Sequence, residues 1–221
     1  NIVLQLLGDI GGKSVLHLQC HFGQDSISMA RLGASVTGVD LSDKAIAKAI
    51  ELAQETKADA SFICCDVYST RQHLTQVFDV VFSSYGAIGW LPDLDKWAGV
   101  VADSLKPGGR FVFAEFHPAI WMFDDDFKGV GYNYFNTGPI VETETGSYAD
   151  TTADFTKEYV GWNHSFGEIL GGLLAKGLNI KVFNEYDYSP YNCFKGTVKI
   201  AERMYRIEKM DNKIPMVYAI L

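Results

Sequence analysis

Two acids in this chain stand where a carboxylate can do recognition chemistry. Asp40 ends the apolar run Ser35-Val36-Thr37-Gly38-Val39, and Asp66 follows Ser61-Phe62-Ile63-Cys64-Cys65. Asp40 lies about 20 residues beyond a turn that closes an earlier apolar run, the spacing at which nucleotide-binding α/β folds hold a ribose diol. That turn reads Gln19-Cys20-His21-Phe22-Gly23 and contains a single glycine. A pyrophosphate needs close backbone approach, which glycines allow and the side chains of Gln19 and His21 obstruct. No Lys or Arg stands in the turn, and no Gly-Lys-Ser/Thr follows it. The combination keeps an acid for ribose and drops the phosphate cradle, which fits a nucleoside without phosphates. Asp40 has an alternative use as a helix cap, but Ser42 is better placed for that. Asp66 has an alternative use as a turn residue. Groups able to move a proton are His117, His164 and Tyr85, each also readable as structural or positional. His17, inside an apolar run, reads as a satisfied strand histidine rather than a base.

The elements that must position these groups alternate. Val15 to Gln19, Ser35 to Asp40, Ser61 to Cys65, Phe78 to Ser83 and Arg110 to Phe116 read as buried strands. Between them, Gln24 to Arg31 reads as a helix stopped by Gly33, and Asp43 to Glu55 as a helix capped by Ser42. Leu94 to Leu105 reads as a helix closed by Pro107-Gly108-Gly109. Such alternation predicts an α/β fold with a doubly wound, mostly parallel sheet covered on both faces. His164 to Lys176 predicts a helix ended by Gly177, and Leu178 to Tyr188 a strand. Met204 to Ile207 and Met216 to Leu221 are further strand candidates, one of which should pair with the Leu178 strand at an antiparallel edge.

The stretch Ile120 to Trp162 breaks the pattern. It carries ten aromatics, eight acids and two lysines, with Val141-Glu142-Thr143-Glu144-Thr145 alternating like a strand. Two readings are open: a β-rich lid at about 118–162 over the carboxyl ends of the sheet, walling a substrate, or a second small core, since aromatics usually pack. On the first reading, carboxylates interleaved with aromatic faces attract cations and repel phosphates. The acceptor is then a small, neutral or cationic molecule.

The whole chain sets the outer bounds. Its 221 residues, 48% hydrophobic, are enough for one domain over 1–221 with that insertion. No run of about 18 apolar residues is present, which predicts no membrane partner. A net charge of −8 without a Lys/Arg cluster argues against a nucleic-acid face. Cys20, Cys64, Cys65 and Cys193 form no CxxC pair, which predicts reduced thiols in a cytoplasmic setting rather than disulfides or a metal site. The opening Asn1-Ile2-Val3-Leu4 has neither a Met nor the basic region of a signal peptide, so residues are expected to precede Asn1. Oligomeric state is not predicted.

Over roughly its whole length the chain resembles the class I S-adenosylmethionine-dependent methyltransferases, and "HLQCHFGQDS" resembles a bacterial subgroup with a variant first motif. His17 stands in place of the usual acid, and Gln19 and His21 in place of two glycines. Thr37-Gly38-Val39-Asp40-Leu41-Ser42 resembles the second-strand motif, and Cys65-Asp66-Val67 the end of the third strand. Phe78-Asp79-Val80-Val81-Phe82-Ser83-Ser84 and Leu105-Lys106-Pro107-Gly108-Gly109 resemble the fourth strand and the turn into the fifth.

The resemblance implies S-adenosylmethionine as cofactor, S-adenosylhomocysteine as product, and methyl transfer to a small-molecule acceptor. It implies cofactor contacts from Gln19, Cys20, His21, Gly23, Asp40, Leu41, Asp66, Val67 and Ser83. Asp40 would hold the ribose, Leu41 pack on adenine and Asp66 receive the adenine amino group. Gln19 and His21 would face the methionine part through their backbone, with side-chain participation open. The runner-up is a non-catalytic S-adenosylmethionine-binding or regulatory module. A nicotinamide-dependent oxidoreductase is third, disfavoured by the missing glycines.

Overall fold

The computed structural model describes residues 2–145 and 156–221. A short helix α1 (Ile2–Leu7) precedes β1 (Ser14–Leu18), α2 (Gln24–Arg31), β2 (Ser35–Asp40), α3 (Asp43–Thr56) and β3 (Ala60–Cys64). A one-turn helix α4 (Thr70–His73) leads to β4 (Phe78–Ser84), α5 (Leu94–Asp103) and β5 (Leu105–Phe116). Then come the hairpin strands β6 (Ile140–Thr145) and β7 (Thr156–Gly161), α6 (Phe166–Ala175) and β8 (Phe183–Tyr186). A second hairpin, β9 (Thr197–Ala201) and β10 (Met204–Ile207), precedes β11 (Val217–Ile220).

Seven strands form one sheet in the order β3-β2-β1-β4-β5-β11-β8. β1 pairs in parallel with β2 and β4, while β11 runs antiparallel between β5 and β8. The period of two sends alternate residues to opposite faces. Leu16, Leu18 and Val81 join the core of Trp97, Val101, Ile169 and Leu173 under α5 and α6. Val15, Val80 and Phe82 join the core of Leu6, Leu7, Ile10 and Met29 under α1 and α2. Both faces are covered, which is why the strands read as nearly continuous apolar runs.

Local signals placed the helix starts. The Ser42 side chain accepts Ala45 N–H at 3.2 Å and caps α3. Asp93 caps α5 by accepting Lys96 N–H at 3.0 Å, and Ser165 caps α6 by accepting Glu168 N–H at 3.2 Å. The α5 helix ends earlier than its periodicity predicts, because Phe78 N–H already bonds Ser104 O at 2.8 Å and draws the chain into β5. The strand expected over Leu178 to Tyr188 is confined to Phe183–Tyr186, where β11 provides a partner. Met204–Ile207 pairs instead with Thr197–Ala201 in its own hairpin. Within the aromatic insertion, Val141–Val160 and Glu142–Tyr159 are cross-strand pairs of the β6–β7 hairpin. The part of the insertion over 146–155 lies outside the described residues.

Candidate cofactor and acceptor site

The strand order reverses at the β1–β4 pair, and in open α/β sheets ligands bind outside the carboxyl ends at such a point. The turn after β1 is built with the backbone conformation of glycine but without glycines at two positions. Gln19 and His21 have φ of 55° and 49°, left-handed values that cost an L-residue about 1–2 kcal/mol each. Hydrogen bonds hold them there. Gln19 donates through Nε2 to Ala87 O at 2.7 Å, His21 N–H donates to Asp40 Oδ2 at 2.9 Å, and Cys20 N–H to Val39 O at 2.9 Å. The one glycine answers a packing demand. A Cβ at Gly23 (φ 69°) would lie 2.7 Å from the Phe62 ring and 2.9 Å from Ala49 Cβ.

Asp40 is engaged at both oxygens, since Ser42 N–H donates to Oδ1 at 2.9 Å. Each oxygen of a carboxylate has two lone pairs, so both can still accept a hydroxyl. Leu41 beside it is 72% exposed, an apolar surface with no protein cover. The end of β3 is tied to that of β2, because Cys65 N–H donates to Asp40 O at 2.9 Å. Asp66 Oδ1 accepts Tyr68 N–H at 2.9 Å and caps the turn Val67–Ser69. Val67 contributes its side chain to the core. Ser83 near the end of β4 is fully buried and its hydroxyl has no partner. Gln19 Oε1 is likewise buried without a hydrogen-bond partner.

His17 is closed off from this surface. Its Nδ1 lies 2.8 Å from Ser26 Oγ and its ring packs on Phe82, and burial pushes its pKa down to about 3. His117 accepts Ala119 N–H at Nδ1 (3.0 Å), so Nε2 carries the proton and donates to Glu185 Oε1 at 2.8 Å. Burial lowers its pKa despite that carboxylate. His164 places Nε2 2.9 Å from Leu91 O and Nδ1 3.0 Å from Glu168 Oε2. Tyr85, with φ 24°, stands at the end of β4 with its ring 5.2 Å from Tyr191 and 5.8 Å from Phe116. Burial raises the Tyr85 phenol pKa, and the nearby Tyr191, Asp25 and Glu115 add to that.

Residues 15–109 match a family model described as a methyltransferase domain. The chain is 31% identical over 132 residues to the ubiquinone biosynthesis O-methyltransferase of Shewanella pealeana, covering 60% of this chain and 56% of that protein. It is 34% identical over 114 residues to the protein of the same name in Photorhabdus laumondii, covering 52% and 47%. The chain therefore spans about half the length of these curated relatives. The S-adenosylmethionine-dependent methyltransferase structure from Mesorhizobium loti superposes with TM-score 0.64 at 21% identity, covering 99% of this chain and 94% of that one. One from Methanosarcina mazei does so with TM-score 0.67 at 18% identity, covering 100% and 95%.

Within this fold, three features escaped the sequence. Asp25, in the first turn of α2, receives Ser84 Oγ at 3.5 Å and so reaches across the β1–β4 crevice, with burial raising its pKa. The aromatic cluster at the end of β5 is shared: Trp121 of the insertion and Phe194 of the C-terminal segment both pack on Phe116. Glu115, near the end of β5, is buried beneath the loop after β4. An acid in the otherwise apolar run Phe111-Val112-Phe113-Ala114-Glu115-Phe116 was the available signal for it.

Proposed function

We propose that this protein is an S-adenosylmethionine-dependent methyltransferase acting on a small-molecule acceptor. The observation that carries this reading is the pairing of Asp40, whose carboxylate keeps lone pairs for ribose hydroxyls, with a turn whose side chains bar a pyrophosphate. The unpartnered Gln19 Oε1 suits the ammonium of the methionine part, and exposed Leu41 suits the adenine face. Cys20, His21, Gly23, Asp66, Val67 and Ser83 complete the proposed contact set, through backbone groups where their side chains are buried. When bound, the cofactor supplies a methyl group already activated on a sulfonium. The chain's own task is then to align an acceptor atom with it and exclude water.

The acceptor side is the crevice bordered by Asp25, Ser84, Tyr85 and Tyr191. Its aromatic faces support a small neutral or cationic molecule, and the Asp25 carboxylate there is partly offset by the nearby Arg203 guanidinium. Three of the insertion's described acids serve local structure. Asp124 accepts Lys128 N–H and Gly129 N–H, Asp126 pairs with Lys128, and Glu142 receives the hydroxyls of Tyr132 and Tyr159. Where the acceptor must lose a proton, Asp25 is better placed to take it than His117 or His164, whose ring nitrogens are engaged. The curated relatives carry O-methyltransferase in their name, which supports oxygen as the atom methylated.

The test is release of S-adenosylhomocysteine across a panel of small hydroxyl and amine compounds. Turnover with an unphosphorylated member supports the reading. Binding of the cofactor without turnover on any of them supports a non-catalytic binding module, and turnover only on nucleic acid contradicts the acceptor assignment.

A further inference from the structure

Glu115 is 2% exposed and has no cationic partner among the described residues. Its carboxylate is instead surrounded by backbone donors of the loop that follows β4. Oε1 accepts Gly86 N–H at 2.5 Å and Phe116 N–H at 2.6 Å, while Oε2 accepts Ala87 N–H at 2.7 Å and Ile88 N–H at 3.3 Å. Burying a carboxylate is costly, and charge-assisted bonds to several amides are what offset it. Such an arrangement can hold a loop in a conformation it would not otherwise keep. That loop contains left-handed Tyr85 (φ 24°) and Gly86 (φ 76°).

The clamped loop makes contacts in two further directions. Ala87, whose N–H is held by Glu115, presents its carbonyl to Gln19 Nε2 at 2.7 Å. This bond fixes the side chain of the residue that opens the turn after β1, and so aims its unpartnered Oε1. Gly89 O accepts Trp162 N–H at 2.8 Å, and the Trp90 ring meets Tyr159 edge-on at 5.9 Å, joining the loop to the insertion. A buried acid on β5 thus sets where a side chain after β1 points, across the intervening strand β4.

We propose that Glu115 is a positioning residue for cofactor binding, acting through the Gly86–Ile88 loop on Gln19. The proposal rests on the reading that the turn after β1 binds S-adenosylmethionine. Glu115→Gln keeps the volume but turns an amide NH2 toward backbone N–H donors, which loosens the clamp without emptying the space.

The experiment is a calorimetric double-mutant cycle with S-adenosylhomocysteine on the full chain, using Glu115→Gln, Gln19→Ala and their combination. Each variant is first confirmed folded by thermal melting. Glu115→Gln should weaken binding about tenfold, the size of one lost charge-assisted hydrogen bond. Added to Gln19→Ala it should weaken binding little further, because both changes act through the same bond. Gly86→Ala, which strains the left-handed loop but leaves Glu115 intact, should show the same non-additivity and serves if Glu115→Gln does not fold. Leu173→Ala, a cavity in the distant α6 core, should lower the melting temperature and leave affinity unchanged. Effects of Glu115→Gln and Gln19→Ala that simply add, or Glu115→Gln and Gly86→Ala both binding like wild type, would overturn the role of Glu115 alone. A wild-type protein that takes up no S-adenosylhomocysteine would overturn the reading of the site, and this role with it.

Discussion

The two ends of the central sheet are built to different standards. At the amino ends, Asp79 Oδ2 accepts Ser14 N–H at 2.9 Å, Ser14 Oγ at 2.7 Å and Lys106 Nζ at 2.9 Å, and Asp79 N–H returns a bond to Ser14 Oγ at 3.1 Å. The starts of β1, β4 and β5 are locked by one small, locally satisfied network. The carboxyl ends of the same strands hold Gln19, His21 and Tyr85 at left-handed φ, leave Gln19 Oε1 without a partner and expose Leu41. Three left-handed non-glycine residues stand at this end, against Lys57 before β3 and the unpartnered Ser104 Oγ at the other. The difference teaches that the amino ends serve stability, while the carboxyl ends retain polar groups for something absent from the chain itself.

That contrast can be broken or sharpened by experiment. The largest effect is expected at Asp40. Asp40→Ala removes acceptors for His21 N–H, Ser42 N–H and the proposed ribose hydroxyls. Its affinity for S-adenosylhomocysteine should fall by roughly 1.5–3 kcal/mol, about 10- to 150-fold, measured by calorimetry. A fall in melting temperature with unchanged affinity would assign Asp40 to the frame instead.

A middle effect is expected at His17, which lies in β1 yet belongs to the closed interior. Its pKa, held at about 3 in the fold against 6.5 when unfolded, means the unfolded chain binds the extra proton between those values. Stability is therefore complete above the unfolded value and is lost as pH falls below it, by about 2 kcal/mol at pH 5 relative to pH 7. The pair His17→Leu and Ser26→Ala, which leaves no orphaned partner, should remove that part of the slope in urea melts. An unchanged slope would mean that His17 is not the group responsible.

The smallest effect is at the amino ends. Asp79 is partly exposed, and its shift to lower pKa comes chiefly from the Lys106 hydrogen bond and then from Ser14. Asp79→Asn should cost about 1 kcal/mol of stability, discounted for solvent screening, and leave cofactor affinity untouched. A loss of affinity there would dissolve the distinction between the two ends.

The sheet was legible because its central strands carry their own apolar runs and α3, α5 and α6 their own side-chain caps. Asp40 was legible because its distance from the turn is fixed by one βαβ unit. Features built from distant partners were not. The donors to Glu115 include Gly86, Ala87 and Ile88, between 27 and 29 residues away in sequence, and nothing local marks them. In the second hairpin β10 was legible as Met204 to Ile207, but β9 is largely exposed and lacks apolar contrast, and the turn between them uses left-handed Arg203 rather than a glycine signal. Helix α1 is only six residues long with no acidic start or basic end, and it forms because β5 and β11 offer it a surface. The aromatic insertion was visible as a change of composition. That Phe194, seventy-odd residues after Trp121, packs on the same Phe116 ring was not.

The central claim is that the carboxyl ends of β1 and β2 form a nucleoside site that excludes pyrophosphate. Its most direct test is a pair of titrations on the wild-type protein, one with S-adenosylhomocysteine and one with NAD, in the same buffer. Saturable binding of S-adenosylhomocysteine with weak or no heat from NAD is the predicted result. Tight binding of NAD with none for S-adenosylhomocysteine would contradict it.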